Sequence, residues 1–166
     1  MSNFFNNGQR IPNIFERARA YDNWNEGNFQ PQEDGYEDTY NTLSNDEKSF
    51  VFKHPTLAYK FNNNANKAKK AVEHFPNKED GYGDAVSHCY WCALNQVSAG
   101  YKSPLAKDFG DAHENIPNNE AKTMDLHNNS VGYHLGNQAI INGWSEEELL
   151  NQVINAANNG KLQIGL

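Results

Sequence analysis

Two serines are each followed three residues later by a glutamate, in Ser44-Asn45-Asp46-Glu47 and Ser145-Glu146-Glu147-Glu148. Each is a capping box: the hydroxyl accepts one orphan amide of a helix's first turn, and the carboxylate returns to another. Between and after them apolar residues recur at three- and four-residue spacing, the period of a helix face, and no run alternates as a half-buried strand would. The first box predicts a helix to Lys53. Pro55 stops it and opens a second, with Ala58, Phe61, Ala65, Ala68, Val72 and Phe75 on one stripe, so that the two form a helical hairpin.

Past the Gly-rich connection Asp80-Gly81-Tyr82-Gly83, Asp84 is placed to cap a helix reaching Ala99, with Val86, Cys89, Tyr90, Ala93 and Val97 as its core stripe. Gly100 ends it, and Ser103-Pro104 restarts a helix that turns Leu105, Phe109 and Ala112 inward and carries His113 and Glu114 at its end. After Ile116-Pro117 a longer helix is expected over Asn119 to Asn137, with Ala121, Met124, Asn128, Val131 and Leu135 on one face. Gly132 and Gly136 sit one turn apart there and expose backbone against which a neighbour can pack closely. The last helix buries Leu149, Leu150, Val153, Ile154 and Ala157 and stops at Gly160, leaving Leu162 to Leu166 to pair briefly or to trail. The expected class is all-α: a compact orthogonal or bundle-like domain of five to six helices.

A chain of 166 residues suffices for one ordinary core, so residues 43–166 are read as a single helical domain. Residues 1–42 are rich in Asn, Gln, Glu, Gly and Tyr and keep no period. They read as an extended, partly ordered arm with one short helix at Ile14 to Tyr21. Phe15, Tyr21, Trp24, Phe29 and Tyr36 argue that parts of it dock, because free disordered tails are usually aromatic-poor.

The formal net charge is −7, from 21 acidic and 14 basic residues, and the only basic cluster is Lys67, Lys69 and Lys70. Non-specific nucleic-acid binding and docking on a free anionic membrane are therefore poor expectations. No apolar stretch approaches the roughly 20 residues that span a bilayer, and Met1 to Arg10 lacks the order of a secretory signal, so any export would use another route. The two cysteines stand together in Cys89-Tyr90-Trp91-Cys92. That spacing serves a redox dithiol, half of a zinc site, or two thiols buried on a helix, and no second pair completes a zinc site.

Asp84 with His88, His113 with Glu114, Asp125 with His127, and the pair Asn128-Asn129 lie on three successive expected helices. On the first, Asp84, His88, Trp91 and Asn95 form a polar-aromatic stripe beside the core stripe. Three tasks suit these groups. His88, His113, Glu114 and Asp125 offer the mixed nitrogen and oxygen ligands of a Zn, Mn or Fe site with room for an activated water. Without metal, a carboxylate orients an imidazole while Asn128 and Asn129 bind a developing oxyanion. As structure alone, the same groups form a hydrogen-bond network that sets helix register.

The motif series Lys53-His54-Pro55, Gly83-Asp84-Ala85-Val86-Ser87-His88-Cys89-Tyr90-Trp91-Cys92-Ala93-Leu94, Ala112-His113-Glu114 and Met124-Asp125-Leu126-His127-Asn128-Asn129-Ser130-Val131-Gly132 resembles an uncharacterised bacterial domain of unknown function found at the C-termini of polymorphic toxins and other secreted proteins. The resemblance runs from Leu43 to Gly136, extending toward Leu162. The family pattern favours Asp84, His88, Trp91, His113, Glu114, Asp125, Asn128, Asn129 and Gly132. It usually places Arg or Lys before the first His and Asn after the Trp, where this chain has Ser87 and Cys92. The resemblance implies a helical fold and a toxin or effector setting, with export by a specialised system and an immunity protein as partner, but it carries no established reaction.

The combined expectation is a hydrolase domain acting on a phosphoester such as a lipid headgroup or nucleotide. His88, His113 and Asp125 would ligate a divalent metal together with Glu114, which would also activate water, while Asn128 or Asn129 places the leaving oxyanion. The rival expectations are a metal-free glycan or acyl hydrolase with Glu114 as acid, a redox protein using Cys89 and Cys92, and a non-catalytic interaction module with a structural polar core.

Overall fold

Proline and capping serines fix where the helices begin. In the computed structural model, which describes residues 5–6, 9–10, 42–75, 81–114 and 120–165, Ser44 Oγ accepts from the Glu47 amide and Glu47 returns to the Ser44 amide at 2.7 Å. The resulting helix α1, Asn45–Lys53, closes when the His54 amide donates to the Phe50 carbonyl at 2.8 Å, with the His54 ring tilted against Phe50. Helix α2 then runs Pro55–Ala71. It is followed by α3, Tyr82–Ala99, α4, Leu105–His113, α5, Glu120–Asn142, and α6, Glu146–Asn158. Two-residue strands β1, Phe5–Asn6, and β2, Gln9–Arg10, pair antiparallel, a departure from the expected absence of strands that leaves the class all-α. The expected helix at Ile14 to Tyr21 and the docking of the arm's aromatic residues lie outside the described residues.

The described chain falls into two compact units, Met1–Tyr59 and Lys60–Leu166. In the second, α3 is the central element. It is buried all round from Cys89 to Gln96, as a helix covered on several sides must be, rather than along the single expected stripe. Val97, expected inward, is 41% exposed because it lies past that covered stretch.

The tightest packing is α5 on α3, and it depends on two missing side chains. A Cβ built on Gly132 would overlap the Cys89 carbonyl oxygen and sit 2.9 Å from Cys92 Cβ, and one on Gly136 would sit 2.5 Å from the Ala93 carbonyl oxygen. The close approach read from this pair of glycines is present, with backbone against backbone. It turns Asn128, Asn129 and Ala139 inward with the glycines; of the expected face Met124 and Asn128 are buried, while Val131 and Leu135 are only half-buried.

Helix α5 runs five residues past its expected end at Asn137. The side-chain amides of Asn137 and Asn142 each donate to the carbonyl four residues back, at 3.0 and 2.9 Å, and neither residue breaks the helix. Gly143, with φ +66°, makes the actual stop. Helix α6 begins on the second capping box and buries Leu149, Val153, Ala156 and Ala157. Beyond it Leu162 is buried and no strand forms up to residue 165. Among the described residues no helix is long and apolar enough to cross a membrane.

Candidate metal centre

Helix α3 starts three residues earlier than Asp84 would dictate as a cap. Gly81 takes the N-cap position without a side-chain bond, which puts Asp84 in the first turn. One turn on, His88 lies on the same face, and its Nε2 is 3.6 Å from Asp84 Oδ1. The opposing helix supplies Asp125, whose Oδ1 is 3.8 Å from the same nitrogen. One ligand atom each from Asp84, His88 and Asp125 lie within 4.8 Å of one another, close enough to share one cation. First-row metals bind oxygen and imidazole nitrogen at about 2.0–2.2 Å, so atoms at these separations need only small rotamer shifts to converge.

The other ring nitrogen faces the opposite way. His88 Nδ1 is 3.5 Å from Glu114 Oε1, within ion-pair range but too long for a hydrogen bond, and the nitrogen is buried. Glu114, just past the end of α4, is 2% exposed, and Asn129 Nδ2 donates to the same oxygen at 3.2 Å. Burial works against the Glu114 charge, but His88, with His113 and Asn129 behind it, holds the carboxyl below its ordinary value. For His88, too, burial opposes charge. The adjoining Glu114 carboxylate and the charges of Asp125 and Asp84 outweigh it and hold the imidazole up at about 9. The result is an imidazole with carboxylates at both ends of the ring.

The expected ligand set was His88, His113, Glu114 and Asp125. The structure brings His88 and Asp125 together with Asp84, a residue noted in the sequence as His88's helical neighbour but left out of that set. Glu114 lies on the far side of the ring from the Asp84–Asp125 group. His113 is exposed, its ring edge-on to Trp91 at 5.0 Å, and it lines a pocket of about 140 Å³ with His88 rather than the ligand group. The signal that could have placed Asp84 was its four-residue spacing from His88. That spacing puts both side chains on one face, but an Asp84 that caps the helix would spend its oxygens on first-turn amides instead.

Of the paired asparagines, Asn129 is turned to Glu114, with its Oδ1 buried and without a hydrogen-bond partner among the described residues. Asn128 is bonded elsewhere: its Nδ2 donates to the Gln163 carbonyl and its Oδ1 accepts from the Gln163 amide, both at 2.9 Å. His127 Nε2 lies 2.9 Å from the Lys161 carbonyl. These two side chains strap residues 161–163 against the outside of α5.

Both thiols are buried and free. Burial pushes Cys89 up to about 12 and Cys92 well above its ordinary value, the reverse of the acidic thiol a redox dithiol needs. Neither belongs to the ligand group, and Cys92 Sγ donates to Tyr133 Oη at 3.5 Å. Among the three sequence-level options for the pair, the geometry is that of buried packing thiols.

A family model described as a domain of unknown function, DUF6973, matches residues 48–161 of the chain. No curated protein and no solved structure matches it.

Proposed function

The chain belongs to the DUF6973 family of domains of unknown function, and we propose that its Asp84, His88 and Asp125 hold a divalent cation that serves hydrolysis of a phosphoester. The observation that carries this reading is the division of labour within one imidazole. Nε2 points to two partly buried carboxylates, while Nδ1 points to a third that is fully buried and itself held by an amide. Metal-bound histidines commonly donate their second ring N–H to a carboxylate, which fixes the tautomer and strengthens the ligand. A bound divalent cation there would polarise a phosphoryl oxygen and lower the pKa of a bound water.

The chain's own groups then divide as follows. Asp84 and Asp125 supply charge and oxygen ligands, and His88 supplies nitrogen. Glu114 orients His88, in place of the ligand and base roles the sequence pointed to, and Asn129 holds Glu114. Asn128 positions α5 through the C-terminal strap. Zinc and manganese suit the nitrogen-and-oxygen donor set best.

The test is metal content and affinity on untagged full-length protein. Wild type is expected to take up one cation per chain, Asp125→Asn to bind at least about tenfold more weakly, and Glu114→Gln about ten- to a hundredfold more weakly through loss of the orienting carboxylate. Equal, weak uptake by all three would remove the proposal. The bacterial effector setting, with an immunity partner and specialised export, rests on the motif resemblance. It predicts growth arrest on expression of wild type but not of Asp125→Asn, in the cytoplasm or the periplasm.

A second reading is favoured by a separate observation, the number of polar side chains spent on tying elements together. Asn64 Nδ2 donates to Asn95 and Ser98, Asn128 binds the strap, and Asn129 binds Glu114. A network of this kind is what a non-catalytic interaction module with a polar core would need. The same measurements separate the two: a module of that kind binds no cation, and Asp125→Asn changes its stability alone.

A further inference from the structure

The pocket of about 140 Å³ that borders His88 is bounded by α2, α3 and the end of α4, and its lining has a distinct character. Small residues, Ala65 and Ala68, leave the space. Trp91 supplies a fixed wall, since its indole N–H donates to the Phe61 carbonyl at 3.0 Å and its ring packs edge-on to both Phe109 and His113. Besides His88, the polar residues that line it are Lys69, His113 and Ser87, each able to donate a hydrogen bond.

Lys69 is the one lysine on this lining. Lys67 pairs with Glu146 and Lys107 with Asp111, whereas no carboxylate among the described residues pairs with Lys69. In a chain of net charge −7, with Asp84, Asp125 and Glu114 around His88, a lysine without a carboxylate partner on the lining beside that histidine marks a flank suited to an anion.

We infer that this pocket seats the phosphate group of the substrate, with Lys69, His113 and Ser87 as its donors and His88 as the wall shared with the Asp84–Asp125 group. The inference rests on the phosphoester reading above and sharpens it. At about 140 Å³ the pocket lies below the roughly 300 Å³ at which ligand-sized pockets begin. A space of that size suits a small oxyanion, and Lys69 on its lining favours one by charge. The larger cavity beside Lys60, Lys67 and Trp144, about 260 Å³, shares no residue with the ligand group, and its Lys67 is already paired with Glu146.

The experiment uses full-length protein and glycerol 3-phosphate, with and without equimolar zinc, followed by NMR at the Ser87 amide, the Trp91 indole and the His113 ring. Lipid-borne phosphate is presented separately as phosphatidic acid in phosphatidylcholine vesicles, scored by co-sedimentation. All three pocket resonances are expected to shift. Lys69→Ala should weaken binding about tenfold, the loss of one charge-assisted contact, and Lys69→Arg should retain most of it, with zinc affinity the same in all three proteins. Binding of either phosphate carrier supports the subsite and identifies the source.

Zinc bound normally with the pocket resonances unmoved, or Lys69→Ala binding phosphate like wild type, overturns the subsite and leaves the cation reading standing. Phosphate seated through Lys69 in a chain that takes up no zinc does the reverse.

Discussion

Gly132→Ala is expected to destabilise the protein by about 3 kcal/mol, at the upper end of the cost of overpacking a well-filled interior. Replacing glycine by alanine in an exposed helix interior stabilises by about 0.5–1 kcal/mol, so the sign of the change is itself the result. The added methyl would meet the backbone carbonyl of Cys89 and the Cys92 Cβ at 2.9 Å, and a carbonyl inside a central helix has nowhere to move. Relief requires α5 to lift from α3, which separates Asp125 from His88 as well. For a protein of this size a 3 kcal/mol loss lowers Tm by roughly 6–12 °C. Gly136→Ala, with the Ala93 oxygen 2.5 Å away, should behave likewise. Because both substitutions force the same separation, the double variant should lose less than the sum. An unchanged or raised Tm for either single variant would mean the helices do not meet as described.

His88→Ala is expected to cost about 3–5 kcal/mol in protein stripped of metal by chelator, because it leaves the buried Glu114 carboxylate without its counter-charge. The cost should depend on pH in a defined way. His88 is raised in the folded state, so its contribution is complete below its unfolded value of 6.5 and disappears as pH rises through about 9. Glu114 is lowered, so its contribution is present above 4.5 and is lost as pH falls through the folded value. The gap between wild type and variant should therefore be widest between about pH 4.5 and 6.5 and shrink on both sides. Urea unfolding at pH 5.5 and pH 10 checks this. A loss of equal size at both would show that the imidazole contributes packing alone.

Much of the fold was legible in residues whose effect is local. Both capping boxes, the Pro55 start of α2, the Leu105–His113 helix and the glycine pair on α5 follow from hydrogen bonds or steric gaps within one or two turns. What was not legible is of two kinds, a choice between local alternatives and the docking of elements far apart in the chain. At Asn137 and Asn142 the side chains bond back to carbonyls of their own helix and the helix runs on, a choice propensity alone does not make. The site divides in the same manner. His88, Glu114, Asp125 and Asn129 do converge, but which ring nitrogen meets which carboxylate is set by the rotation of α3 against α5. Only the assembled helices reveal that Asp84 belongs on the Nε2 side, that Glu114 stands behind the ring, and that His113 turns to Trp91 instead.

The strap formed by His127 and Asn128 has a consequence for how the protein breathes. The Gln163 amide lies in no helix, yet its proton is held by Asn128 Oδ1, a buried side chain in the first half of α5. Deuterium should therefore enter that position far more slowly than at the neighbouring Ile164 amide, at a rate set by how often the first half of α5 opens. Since Asp125 and Asn129 flank the same stretch of α5, a single slowly exchanging proton near the end of the chain becomes a clock for the site, readable without touching any of its ligands.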